Sequence, residues 1–195
     1  MTAAFLISTM NTYDLNKLLT EELKNGSSDL VTRRSGQVIR ERIERDIQQE
    51  EERAVTALDF SAIGIIDYSC ADEIIAKLVS RLLSGEYGDR YIILTGLNDN
   101  QKENIEVALE RKGLAVMAET RDRARLLLGN LNNYLKETLS FIEKNKRVTA
   151  KDFSDVMKLE ANTSGTRLLN LHKKRLVKRT DEIRDGLRVW VYERL

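Results

Sequence analysis

The sequence predicts an α/β fold, followed by a C-terminal third built differently. Short apolar runs of strand length, Val55–Phe60, Tyr91–Gly96 and Leu114–Ala118, are separated by segments whose apolar residues recur every three, four and seven positions. Continuous apolar strands alternating with helices point to an α/β sheet of buried strands joined by right-handed crossovers. Residues 148–195 give instead two short helical patterns and two alternating runs that read as a hairpin.

In chain order, Thr2–Ser8 reads as an edge strand. Tyr13–Asn25 reads as a helix with Leu15, Leu18, Leu19 and Leu23 on one side, broken by Gly26-Ser27-Ser28. Leu30–Arg33 is a short strand. Ser35 caps a helix through about Glu52, with Val38, Ile39, Ile43 and Ile47 inward. Oppositely charged pairs three or four apart across Arg40–Arg53 suit a solvated helix face. After the strand at Val55, Ile63, Ile65 and Ile66 lead into a polar turn, Asp67-Tyr68-Ser69-Cys70. A one-faced helix then runs through Ile74, Ile75, Leu78, Val79, Leu82 and Leu83. Ser69 stands in the cap position with Asp72 three residues on.

Asn98–Lys112 is a helix stopped by Gly113, and Leu114–Ala118 is the third buried strand. Thr95-Gly96-Leu97-Asn98 is a helix-start turn and lacks the glycine spacing that cradles phosphates. The two halves are joined by a helix over Asn130–Lys146 that carries Leu131, Tyr134, Leu135, Thr138, Phe141 and Ile142 along one face. A helix through Met157, a turn at Lys158–Ala161 and a helix over Thr163–Lys174 follow. The chain ends in strands Arg175–Arg179 and Leu187–Glu193 around a tip at Asp181–Gly186.

A chain of 195 residues fits two domains of unequal size, 1–128 and 129–195. No apolar run approaches the roughly 18 residues of a membrane helix, so no membrane partner is expected. The apolar patch Ala3–Ile7 has no basic residues before it and reads poorly as a signal peptide. Cys70 and His172 are the sole cysteine and histidine, which argues against an intrachain disulfide and against a metal site of those ligands. A reducing cytoplasm and no cofactor are the expectation. The net charge of +1 conceals an asymmetry: residues 1–145 carry 19 basic and 24 acidic residues, and residues 146–195 carry 13 and 7. A basic end on an acidic body points to a polyanion partner there, although a solvated basic tail gives the same composition.

Two resemblances sharpen these expectations. The run LDFSAIGIIDYSCADEIIAKL resembles the centre of a STAS domain, the fold of bacterial anti-sigma-factor antagonists, and the likeness extends over about Leu30–Ala118. It implies a mixed sheet with helices. It matches Asp59 to the strand-end aspartate, Asp67 to the turn aspartate and Ser69 to the serine that partner kinases phosphorylate. Tyr68 replaces the first serine of that turn and Cys70 its glycine, as in a divergent branch. The run VTAKDFSDVMKLEANTSGTRLLNLHKKRLVKR and the hairpin after it, within Asn130–Leu195, resemble the winged helix-turn-helix of bacterial transcription regulators. That likeness implies that Thr163, Ser164, Thr166, Arg167 and Asn170 face a major groove. Lys173, Lys174, Arg179, Arg184 and Arg188 would then lie near phosphates.

The expected function is a non-enzymatic, DNA-binding transcription regulator whose STAS-like part binds a partner protein, or a copy of itself as a homodimer. The alternative is a phospho-regulated partner-switching adaptor whose winged helix docks protein; Asp181, Glu182 and Asp185 make the wing less basic than a strong DNA reader's. At the Asp67–Cys70 turn three roles stand open: Ser69 as a plain helix cap, Ser69 as a phosphoacceptor, and Cys70 as an oxidation sensor. An enzyme is the third and weakest class, because no nucleophile–base pair or metal set accompanies Asp59 and Asp67. His172 and Trp190 read as packing residues.

Overall fold

Alternation along three short strands decides the architecture. In the computed structural model, which describes residues 10–24, 26–120, 122–184 and 186–195, β2 (Val55–Asp59), β3 (Tyr91–Thr95) and β4 (Ala115–Glu119) run parallel in the middle of a five-stranded sheet. Successive side chains of a strand point to opposite faces. Ile92 and Leu94 of β3 and Val116 and Ala118 of β4 therefore enter one core, while Tyr91, Ile93, Ala115 and Met117 enter another. β1 (Asn11–Asp14) flanks β2 in parallel, and β5 (Arg125–Gly129) closes the far edge antiparallel to β4.

The first face is covered by α1 (Leu15–Leu23), α2 (Arg33–Gln49), α3 (Tyr68–Ala71), α4 (Lys77–Ser84) and α5 (Asp99–Glu110). α3 passes into α4 through one π turn, Asp72–Ala76. Leu15, Leu19, Ile39, Ile43, Ile74, Leu78 and Ile105 are among the buried residues of this layer. The second face is covered by the C-terminal third. There α6 (Asn133–Asn145), α7 (Ala150–Met157) and α8 (Ala161–Lys173) are joined to a small antiparallel sheet of β6 (Arg147–Thr149), β7 (Val177–Arg184) and β8 (Leu187–Arg194), in the order β6-β8-β7. Leu131, Leu135, Leu139, Ile142, Phe153, Leu168 and Leu171 pack with the sheet residues Val55, Ala57, Tyr91 and Ile93 in one apolar cluster. Residues on both sides of position 128 thus share this second core.

The α/β class and the three buried strands agree with the sequence reading. Several local expectations do not. The expected strand Thr2–Ser8 lies outside the described residues. Tyr13 is in a strand rather than a helix: Asp14 ends β1 and caps α1, accepting from the N–H groups of Asn16 (2.9 Å) and Lys17 (3.1 Å). Leu30 makes a single bridge to Ile66 in place of a strand, because the chain turns at once into α2. Thr32, not Ser35, caps α2, its hydroxyl accepting from the Ser35 N–H at 3.1 Å. The junction of the halves is not helical throughout, since Leu128 and Gly129 finish β5 and α6 begins at Asn133 behind an Asn132 cap.

Two glycines are required by geometry. Gly96 has φ +70°, and a β-carbon there would lie 2.6 Å from Asp59 Oδ1 and 2.7 Å from the Ser61 nitrogen. Gly129 has φ +89°, and its β-carbon would meet the Leu114 carbonyl oxygen at 2.3 Å. Among the described residues no helix is long and apolar enough to cross a membrane.

Candidate functional site

The C-terminal third is assembled by local signals. Thr149 and Asp152 form a reciprocal capping box at the start of α7: the Asp152 N–H donates to the Thr149 hydroxyl at 3.2 Å, and the Thr149 N–H donates to the Asp152 carboxylate at 2.8 Å. Lys158, left-handed at φ 54°, ends α7, and Leu159 and Glu160 turn the chain into α8. Phe153 of α7 lies against Phe141 of α6 with ring centres 5.2 Å apart, which fixes the helix pair on α6.

α8 sorts its polar residues by helical phase. Thr163, Thr166 and Lys173 are exposed and Asn170 is half-buried. Their spacing of three, four and three residues places them in one stripe along the helix. Ser164 is buried and its hydroxyl has no partner among the described residues, so it belongs to the inward side of α8 rather than to the stripe. Arg167 is also drawn away: it donates to the Glu137 carboxylate of α6 at 3.1 Å and lies over the Tyr134 ring. Of the five residues expected to face a groove, the fold brings Thr163, Thr166 and Asn170 together, and adds Lys173 from the expected phosphate set. Lys174 is half-buried at the end of the helix.

On the hairpin, Arg184 is exposed and paired with Glu182 at 3.1 Å, and Arg188 is paired with Asp181 at 3.1 Å. Arg179 stacks on Trp190, its guanidinium carbon 3.6 Å from the ring centre. Burial pushes the Lys178 ammonium below its ordinary value.

The turn after α8 locks the halves together. Arg175, at φ +58°, donates to the Gly88 carbonyl (2.9 Å) and the Leu82 carbonyl (3.3 Å) and pairs with the Asp89 carboxylate. The Tyr91 hydroxyl donates to Asp89 at 2.9 Å and lies 3.2 Å from His172 Nδ1. His172 is therefore a packing residue of this junction. Burial holds its imidazole below the usual value; the neighbouring Asp89 opposes that, while Arg175 and Arg179 add to it.

At the sheet end, each carboxylate serves its own turn. Asp59 accepts from the Ser61 N–H (2.9 Å) and hydroxyl (3.0 Å). Asp67, rather than Ser69, caps α3, accepting from the Cys70 N–H at 2.8 Å. Ser69 is half-buried in the first turn and donates its hydroxyl back to both Asp67 oxygens, at 2.9 and 3.0 Å. The Cys70 thiol donates to the Thr32 carbonyl at 2.8 Å, and burial pushes its pKa up to about 11. A protonated, enclosed thiol is a poor oxidation sensor.

Sequence reasoning missed a buried ionic network one turn further on. Arg40 and Glu44, expected on a solvated face, are buried and paired at 2.6 Å. Arg40 also reaches Glu73, which binds Lys77 and Arg33, while Asp72 binds Arg33 and Lys112. Burial opposes ionisation of Asp72 and Glu73. Hydrogen bonds from Lys112 and Arg33 to Asp72, and from Lys77 and Arg33 to Glu73, outweigh it and hold both carboxyls below their usual range. The available signal was the placement of Asp72 and Glu73 directly before the apolar Ile74-Ile75 of the buried helix.

Compared with family models, with curated proteins and with solved structures, the chain gives no significant match.

Proposed function

We propose that this chain is a non-enzymatic, cytoplasmic bacterial transcription regulator that binds DNA through its C-terminal third. In this reading residues 129–195 are a winged helix-turn-helix, α8 enters the major groove, and β7–β8 is the wing. The STAS-like part, residues 1–128, binds a partner protein or a second copy of the chain and sets DNA binding. The observation that carries the reading is the polar stripe of exposed Thr163, Thr166 and Lys173 with half-buried Asn170 between them. Hydroxyl, amide and ammonium groups in one row suit base edges and phosphates. The element order α6-β6-α7-α8-β7-β8 supports it. The test is fluorescence anisotropy of the whole chain on a random-sequence duplex from low to moderate salt. Log affinity should fall with log salt by roughly 0.9 per phosphate neutralised. Absence of binding at low salt refutes the reading.

The partner-switching adaptor is the second reading. It is favoured by the ion pairs that tie Arg147, Arg184 and Arg188 to carboxylates of the hairpin itself. A phosphate on Ser69 would add about −1.5 to −2 charge against Asp67, which already caps the helix, and would disturb the turn. Phosphorylated Ser69 recovered from cells, with no DNA binding at low salt, would select this reading.

A further inference from the structure

The five-stranded sheet ends in two edges of different character. β1 is mostly polar, Asn-Thr-Tyr-Asp, whereas β5 carries Leu126, Leu127 and Leu128 in a row. A sheet edge offers unpaired N–H and C=O groups to any other strand, and natural edges are blunted by charge, proline or a bulge. The outer strand of the small sheet, β7, follows that rule with Lys178, Arg179, Asp181, Glu182 and Arg184. β5 does not. Arg125 at its start is its one charged residue, and it pairs with β4 residue for residue, without a bulge.

The pairing fixes which groups are on offer. The Asn130 N–H donates to the Leu114 carbonyl at 2.8 Å, and the Thr120 N–H donates to the Ala124 carbonyl at 2.9 Å. These bonds continue the register of Val116 with Leu128 and Ala118 with Leu126, so residues 124, 126, 128 and 130 face β4. Bonded and outward-facing residues alternate along an antiparallel strand. The N–H and C=O groups of Arg125, Leu127 and Gly129 therefore point away from β4, and none has a partner among the described residues.

Helices wall this edge on both sides. A groove along it is lined by Glu106 and Glu110 of α5, Leu127 and Gly129 of β5, and Lys136 and Ser140 of α6. Each wall carries both signs of charge. On α5, Lys102 stands one turn before Glu106 and two before Glu110. On α6, Lys136 stands two turns before Glu143. Glu143 Oε1 lies 3.8 Å from Arg125 Nη1, and neither atom has a hydrogen-bond partner among the described residues.

We infer that β5 is a dimer interface: the β5 strands of two copies pair antiparallel about a two-fold axis at Leu127, making one sheet continuous across both. Leu127 exchanges N–H···O=C bonds with its own counterpart, and Arg125 exchanges them with Gly129 of the other copy, so every outward group of the strand is used. The same surface meets itself about a two-fold axis, which reverses each helix against its own copy. Lys102 then stands opposite Glu110, and Lys136 opposite Glu143. A second copy supplies this match to both walls at once. The inference goes beyond DNA binding and does not depend on it; it selects a second copy of the chain as the partner of the 1–128 part.

Sedimentation velocity of the full-length protein without DNA, from nanomolar to high micromolar concentration, should show a monomer–dimer equilibrium. Leu127→Pro removes the central outward N–H and costs no bond to β4, so it should sediment as a monomer with the circular dichroism of the parent. Should that variant fail to fold, surface charges decide. Glu110→Lys, facing Lys102 of the other copy, should raise the dissociation constant severalfold, and adding Lys102→Glu should restore most of the loss. A chain that stays monomeric throughout overturns the inference, whether or not its edge accepts a foreign strand. A dimer that survives Leu127→Pro, or that Glu110→Lys leaves unchanged, uses another surface and overturns it too. DNA binding is read separately by anisotropy, so either can fail alone.

Discussion

Replacing Arg175 by alanine tests how the two halves are held. Its guanidinium joins three acceptors of the sheet half: Asp89, Leu82 and Gly88. These are not equal. Gly88 is exposed, so water replaces that bond at little cost, whereas the Leu82 carbonyl belongs to a buried residue and Asp89 is half-buried. Hydrogen bonds to charged groups contribute about 1.5–3 kcal/mol each, and a carboxylate stripped of its cation adds a desolvation cost. Tyr91 and Arg53 remain beside Asp89 and offset part of it. The expected loss is about 2–3 kcal/mol. With a urea slope on the order of 2 kcal/mol/M, the unfolding midpoint should fall by roughly 1–1.5 M. A second variant sharpens the test. Arg175 sits at φ +58°, where a non-glycine residue costs roughly 1–2 kcal/mol, so Arg175→Gly should be about 1 kcal/mol more stable than Arg175→Ala. Equilibrium urea unfolding followed by circular dichroism measures both. The reasoning is refuted if both variants lie within about 0.5 kcal/mol of the parent, or if glycine is the worse of the two.

Gly165 lies inside α8 with nothing within 4 Å of a β-carbon built on it, so Gly165→Ala should stabilise by about 1 kcal/mol in the same unfolding assay. Because burial depresses the folded pKa of His172, its contribution to stability is complete above the unfolded value near 6.5 and is lost as pH falls through the folded value; a His172→Gln variant should flatten stability against pH in that acidic window. The groups facing the imidazole there are Tyr91, Asp89, Arg175 and Arg179. Cys70, with its thiol pushed up to about 11, should react with iodoacetamide far more slowly in the native chain at pH 7.5 than in urea, as mass spectrometry of timed samples would measure.

What the sequence made legible follows from how much information each segment carries. The strands around Leu58, Ile93 and Val116 read clearly because both their faces are buried, which leaves a continuous apolar run. α5 read clearly from Asn98, whose side chain accepts from the Gln101 N–H at 2.9 Å in a capping box. β1 did not. Its four residues, Asn-Thr-Tyr-Asp, are mostly polar and are held at an edge by pairing with β2 and by Asn11 and Tyr13 bonding to Glu50, a partner far away in sequence. β5 was hidden because its apolar run Leu126-Leu127-Leu128 is as compatible with the approach to a helix as with a strand. At the Asp67–Cys70 turn, two good capping residues stand two positions apart. Only the geometry shows that Asp67 takes the cap and Ser69 bonds back to it. In α8, the phase that turns Ser164 inward was present in the spacing of Leu168 and Leu171, yet treating the polar residues as one set obscured it.

The alternation of Tyr91, Ile92, Ile93 and Leu94 between two cores has a consequence for the life of the chain in a cell. A protease nick near Gly129 would not release two independent pieces. The upstream fragment would bare Val55, Ala57, Tyr91, Ile93, Ala115 and Met117 as one sticky surface, and the downstream fragment would bare Leu131, Leu135 and Leu139. Synthesis faces the same constraint: until α6 and α8 leave the ribosome, one apolar face of the sheet has no cover. Each part therefore relies on the other to cover its apolar face.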